Sequence, residues 1–292
     1  MKTIFSIYIL FLFSHSFSQT LNADTEYYEA VDKWVAITVQ DSLKNQKHIY
    51  GFIYIDTEAG FTFDVGEYFR ENVSGKYEII NPTDTTGNSM KFRIPVEWGK
   101  VALLSDQRIK ELNLPKVPEW LKYYKEDEKT PQYLLDMGYF YNHVGASHHA
   151  ISPLLQANSL DPDLKGLSFE IAYAYNAMKE FDKAILFLNS AIQKSPADCF
   201  LYREIVYSYR YSDKLQQAEE TYNQALNKCE NASALTEMGV NMAQVYFLQK
   251  NESKFRFWLE EARKYAQKGS QYDDFLNLLE SEWTKENSNN LN

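Results

Sequence analysis

Tyr141, Tyr175 and Tyr209 stand 34 residues apart, and two alanine series keep the same step: Ala150, Ala184, Ala218 and Ala157, Ala191, Ala225. Gly138 and Ala172 precede the first two tyrosines by three residues, and Pro162 and Pro196 close the first two units. A period of this length, with small residues at fixed points, fits a pair of antiparallel helices. Small residues let the two helices approach, while the tyrosines and Leu154, Leu188 and Tyr222 fill the gaps. A proline stops the second helix because it has no amide to continue the ladder. One hairpin cannot bury its apolar face alone, so neighbours must stack.

A fourth unit is shifted. Ala243, Tyr246, Leu259 and Ala262 repeat the pattern, but Tyr246 follows Tyr209 by 37 residues. The extra residues fall in Cys229–Leu235 and predict a longer loop, and Phe255 stands where an alanine is expected. Tyr272, Phe275, Leu276, Leu279 and Trp283 share one helical face after Ser270, which predicts a capping helix over 270–284. The polar residues 285–292 predict a disordered tail.

The segment 131–267 therefore resembles the tetratricopeptide repeat (TPR) family, with about four repeats. Val206 (where Gly or Ala is usual), Glu230 (in place of proline) and the fourth unit depart from the family pattern. The resemblance implies a superhelix whose first helices line a concave groove for peptides or protein segments. Carried over position by position, it places Tyr139, Tyr173, Tyr207 and Gln244 on the groove. Asn142, Asn176, Arg210 and Phe247 flank them, with Arg203 one turn from Tyr207. In that groove tyrosine gives contact area at low entropic cost, and asparagine can pair with an extended backbone. Arg203 and Arg210 could receive a carboxylate. The alternative is structural: either the tyrosines pack within the superhelix or the N-terminal domain fills the groove, and the arginines only pair with neighbours such as Glu204. The family's carboxylate-clamp variant uses asparagine where Tyr139, Tyr173 and Tyr207 stand, so C-terminal chaperone tails are disfavoured as ligands.

Upstream of Thr130-Pro131 the pattern changes from helix to strand. Trp34–Val39 and His48–Ile55 are rich in β-branched and aromatic residues. Asp56–Gly60 is a turn signal before Phe61–Val65, so a hairpin is expected. Lys76–Ile80, Lys91–Val96 and Val101–Leu104 predict further strands around a polar loop at Asn81–Ser89. Ser105 could cap a short helix ending near Leu112. The predicted fold class is α+β: a small antiparallel β-rich domain over 19–117, a helical connector over 118–130, then an all-α TPR superhelix. Tyr (22) and Phe (18) are numerous enough for aromatic burial to dominate the core.

The opening residues combine Lys2, an apolar run from Ile4 to Phe13, and the small-x-small triplet Ser16-Phe17-Ser18. They read as a signal peptide over 1–18, cut before Gln19, with an uncleaved anchor as the alternative. The run is short for a membrane span, and no later run is long enough for one. A periplasmic or secreted protein is expected, without an integral span after cleavage. Losing Lys2 takes the formal charge from -10 to -11, and no long basic run exists, so nucleic acid and anionic membranes are poor partners. Export permits a disulfide. Cys199 and Cys229 stand at the two ends of one predicted hairpin, where a bond could close it. Asn72, Asn231 and Asn251 open glycosylation sequons, to which no glycan is assigned.

Chemistry-bearing clusters are few. His143, His148 and His149 lie together, but zinc needs three or four well-placed ligands. The first would end one helix and the others begin the next, so surface and packing roles are expected and no metal. Asp56, Glu58, Asp64 and Glu67 surround a hairpin turn, where solvated carboxylates are ordinary. No nucleophile elbow, zincin motif, phosphate loop or dinucleotide fingerprint occurs. The expectation is a non-enzymatic adaptor that binds a protein or peptide and needs no cofactor. The competing expectation is an enzyme or carbohydrate-binding module in the β domain, which exposed Tyr54, Phe61, Phe63 and Tyr68 would favour. A self-associating structural protein is the third.

Overall fold

A computed structural model describes residues 21–39, 47–80 and 90–289. The signal peptide reading, the polar loop at Asn81–Ser89 and the last three residues lie outside the described residues. The chain divides between Lys125 and Glu126 into two compact units.

The first unit is a six-stranded sheet: β1 (Lys33–Val39), β2 (Lys47–Asp56), β3 (Gly60–Glu71), β4 (Tyr77–Ile79), β5 (Met90–Arg93) and β6 (Ala102–Leu103). Every named pairing is antiparallel, in the order β4-β3-β2-β1-β6, with β5 on β3. Asp56 Oδ1 accepts from the amides of Glu58 and Ala59 and so fixes the β2–β3 turn. β3 runs six residues past the predicted Val65. Its register shifts against Ile49–Gly51, and Gly66 is required there because a Cβ would lie 2.2 Å from the Tyr50 ring.

Alternation along β2 sends Tyr50, Phe52 and Tyr54 to a core with Trp34, Phe69 and Tyr77. Leu104, Leu112 and Leu121 cover that core. Ser105 caps α1 (Asp106–Glu111) by accepting from the Arg108 amide. The expected helical connector is only a 3-10 helix, Glu119–Tyr124. Leu121, Trp120 and Tyr124 pack on the sheet, which makes this segment part of the first unit. Tyr54, Phe61 and Phe63 are buried, and Tyr68 alone of the four named aromatics is exposed, at 46%. The exposed cluster that would favour a carbohydrate or catalytic surface on this domain is therefore absent at those positions.

The second unit is four helix hairpins and a last helix. The first helices are α2 (Pro131–His143), α4 (Leu167–Ala177), α6 (Cys199–Tyr211) and α8 (Ala232–Leu248). The second helices are α3 (Ser147–Leu160), α5 (Phe181–Lys194), α7 (Leu215–Leu226) and α9 (Glu252–Arg263), and α10 (Gln271–Asn289) follows. Both alanine series are buried. At Gly138 a Cβ would lie 2.3 Å from the Leu154 side chain, so the first hairpin needs glycine there.

Each first helix ends in the same turn. Gly145, Lys179, Asp213 and Lys250 take positive φ, and the next amide bonds back to the carbonyl of Tyr141, Tyr175, Tyr209 or Tyr246. This is a Schellman closure. The repeated tyrosine therefore fills the core and also receives the bond that ends its helix.

Two expectations change in the fourth unit. The extra residues do not lengthen a loop; they extend α8 to 17 residues against 13 in α6. Asn231 caps α8 through the Ala234 amide, and three residues are close to one helical turn, so the buried face stays nearly in register. Phe255 is fully buried and stacks on Trp283 of α10 at 4.7 Å, so the site of the missing alanine receives the terminal helix. α10 also continues past 284 to Asn289, where a disordered tail is expected. Lys250 pairs with Glu286, and Lys285 pairs with Glu282 at 2.8 Å. Among the described residues, no helix is long and apolar enough to cross a membrane.

Cys199 opens α6 and Cys229 follows α7; they are disulfide-bonded, with a Cα separation of 5.4 Å. The bond closes the third hairpin. A closed loop of this length is worth about 3–4 kcal/mol through the unfolded chain. Reduction, or Cys199→Ser with Cys229→Ser, is expected to lower the urea midpoint of helix loss by a corresponding amount. Identical midpoints with and without reductant would show that the bond adds nothing.

Candidate peptide-binding groove

First helices of successive hairpins pack on one another (α2 on α4, α4 on α6, α6 on α8), whereas second helices barely touch their counterparts. A stack that is tight along one row and open along the other curves toward the tight row. The first helices thus form the concave side.

Hydrogen bonds hold that row together. Asn142 Nδ2 donates to the carbonyl and carboxylate of Glu170, at 3.0 and 2.8 Å. Asn176 Nδ2 makes the same pair with Glu204, at 3.2 and 3.0 Å. Arg210 repeats the step to Asn241 and Gln244, each at 2.7 Å. These contacts correct the expected roles. Asn142 and Asn176 are each only 3% exposed and join one hairpin to the next instead of facing a ligand. Arg210 is committed to the third junction, where burial pushes its guanidinium below its usual range. Arg203 pairs with Glu204 at 2.9 Å and Glu237 at 3.6 Å, so it is not a vacant carboxylate receptor.

The tyrosine ladder is split. Tyr139 and Tyr173 are exposed, at 45% and 39%. Tyr207 is half-buried against Tyr211 and Phe181. Tyr139 and Tyr173 flank a trough made of two adjoining cavities. The larger, about 460 Å³, has Leu135, Tyr139, Phe169 and Phe200 as walls, with Asp136, Glu170, Asp198 and Arg203 among its polar lining. The smaller, about 200 Å³, shares Tyr139, Phe169 and Glu170 and reaches Tyr173. His143 stacks on Tyr139, while His148 and His149 lie together at the start of α3, with His149 tilted on Tyr141.

Burial pushes Asp136 and Glu170 above the ordinary carboxylate range. Hydrogen bonds from Gln132 and Asn142 oppose the rise, and the Glu204 charge adds to it at Glu170. Sequence reasoning missed Asp136, Phe169, Glu170, Asp198 and Phe200. Part of the signal was present, because Asp136, Glu170 and Glu204 recur at the same step of 34 as the tyrosines.

No family model matches the chain, and no curated protein matches it. Among solved structures, the chain is similar to MamA MSR-1 at 15% identity and TM-score 0.41, over 50% of this chain and 82% of that one. MamA AMB-1 gives 14% identity and TM-score 0.41, over 55% and 88%. A tetratricopeptide repeat protein from Parabacteroides merdae ATCC 43184 gives 13% identity and TM-score 0.42, over 60% of this chain and 64% of that one. The second unit has a TPR-like fold. It follows from the four helix hairpins, the 34-residue register of the first three and the Schellman turn that recurs in all four.

The junctions give two expected outcomes. Ser208 Oγ lies 2.7 Å from Asn176 Oδ1, whereas Ala174 occupies the corresponding place one repeat earlier and Asn142 Oδ1 is buried without a hydrogen bond. Ser208→Ala should cost about 1–3 kcal/mol in urea unfolding, and Ala174→Ser should recover about 1 kcal/mol. Two neutral substitutions would show that these amides do not couple the hairpins.

The second outcome concerns pH. With its folded value raised, Glu170 binds its proton more tightly in the folded chain. Its contribution to stability is present below its unfolded value and is lost as pH rises through the folded one. Glu170→Gln keeps an acceptor for Asn142 but cannot ionise. Its stability relative to the parent should rise from acid to neutral pH, read from urea midpoints. A difference independent of pH would mean that the buried charge is not penalised.

Proposed function

We propose that the chain is a non-enzymatic adaptor outside the cytoplasm, binding a protein or peptide segment through the concave groove of its helical array. The observation that carries this reading is the aromatic trough across α2, α4 and α6. It leaves Tyr139 and Tyr173 exposed on a face whose backbone is held rigid by the junction hydrogen bonds. Exposed tyrosines on a rigid support offer contact area at small entropic cost. The leader-like opening of the sequence and the Cys199–Cys229 bond support an oxidising compartment. The formal charge of -10 argues against nucleic acid as the partner. The β domain would then position the array or hold a second partner.

The test is a pull-down from envelope extract with the parent chain and a Tyr139→Ala/Tyr173→Ala variant of unchanged helicity. A partner held by the parent and reduced about tenfold or more in the variant supports the groove, since two aromatic anchors are worth a few kcal/mol. A partner held equally by both moves binding to the convex face or the β domain.

A further inference from the structure

The larger cavity combines apolar walls with an acidic lining. Hydrogen bonds reach Asp136 Oδ1 from Gln132 at 2.8 Å, Glu170 Oε2 from Asn142 at 2.8 Å, and Asp198 Oδ1 from the Phe200 amide at 3.0 Å. Among the described residues, the second oxygen of each carboxylate receives no hydrogen bond. Among the described residues Arg203 is the one cation in the lining, and its ion pairs are with Glu204 and Glu237, not with these three. Its guanidinium lies over Phe200 at 5.2 Å and Phe169 at 5.7 Å, so two of the cavity's rings already hold a cation on their faces.

We propose that this cavity receives one basic side chain, arginine or lysine, from an extended segment of a protein partner lying along the groove. The inference rests on the groove reading above and adds the chemistry of the partner. A lysine or arginine carries an apolar stem and a charged head. Leu135, Tyr139 and Phe169 match the stem, and the carboxylates of Asp136, Glu170 and Asp198 match the head. An acidic side chain would meet three like charges. A purely apolar one would strip water from carboxylates without replacing it.

The probe is a random dodecapeptide library displayed on phage, panned against the immobilised full chain lacking its leader. Selected peptides should be enriched in arginine or lysine beside an apolar residue. Replacing that basic residue by norleucine in the synthetic peptide should weaken binding about tenfold. An Asp136→Asn/Glu170→Gln variant of unchanged helicity should lose most of the preference for the basic peptide. The norleucine comparison needs only the parent protein, so the proposal stays testable if that variant does not fold. Peptides without basic residues that still require Tyr139 and Tyr173 would overturn this inference and leave the groove reading standing. Peptides that bind the Tyr139→Ala/Tyr173→Ala variant equally well, or no selection at all, would overturn both.

Discussion

The amide bridge between neighbouring first helices is the contact on which the array depends. A helix hairpin sealed by alanines buries its inner seam and leaves an apolar flank for the next hairpin. Side-chain packing alone would let that flank slide. Asn142 and Asn176 prevent this, because each donates at once to a carbonyl and a carboxylate two helices further on. A buried amide so engaged fixes distance and rotation together, and leaving it unpaired would be costly. The first helices are consequently drawn together, the second helices spread, and the array curves.

The same bridge shapes the groove. To accept from the amide, Glu170 must sit half-buried between hairpins, and there it lines the cavity. Asp136 occupies the equivalent place in the first hairpin, where no earlier repeat supplies an amide, and Gln132 on its own helix serves instead. Acidic groups along the concave side are thus a by-product of how hairpins are joined, and the aromatic residues beside them turn that by-product into a lined cavity.

Most of the second unit was legible in the sequence because small residues at fixed intervals have few other uses. The hairpins, the core tyrosines and the last helix follow from the period. The groove was harder to read. Asn142 and Asn176 follow the core tyrosine by one residue, and a rotation of about 100° per residue turns such a side chain from the open face into the junction. Only knowing how closely the next helix packs separates the two positions. Similarly, the sequence pattern of β3 stops at Val65 because the register shift at Gly66 breaks the alternation that marks a strand. Phe255 looked like a defect because its partner, Trp283, lies in another element.

The junctions are not alike, and their order gives the groove a direction. At the first two, an asparagine meets a glutamate; Glu170 is held by the Asn142 amide, whereas Glu204 is also paired with Arg203. At the third, Arg210 meets Asn241 and Gln244, and the junction is positive. The donor position keeps its place but changes from a neutral amide to a cationic guanidinium, while the cavity's carboxylates, Asp136, Glu170 and Asp198, all precede that third junction. Tyr207 follows the same division, half-buried against Tyr211 beside the positive junction, while Tyr139 and Tyr173 stay open beside the first two. On the proposed groove reading, a segment with its basic residue toward α2 would meet the carboxylates of Asp136 and Glu170, and the reverse orientation would bring that residue toward Arg210. Under that reading the change in junction chemistry would favour one polarity of an extended partner along the groove.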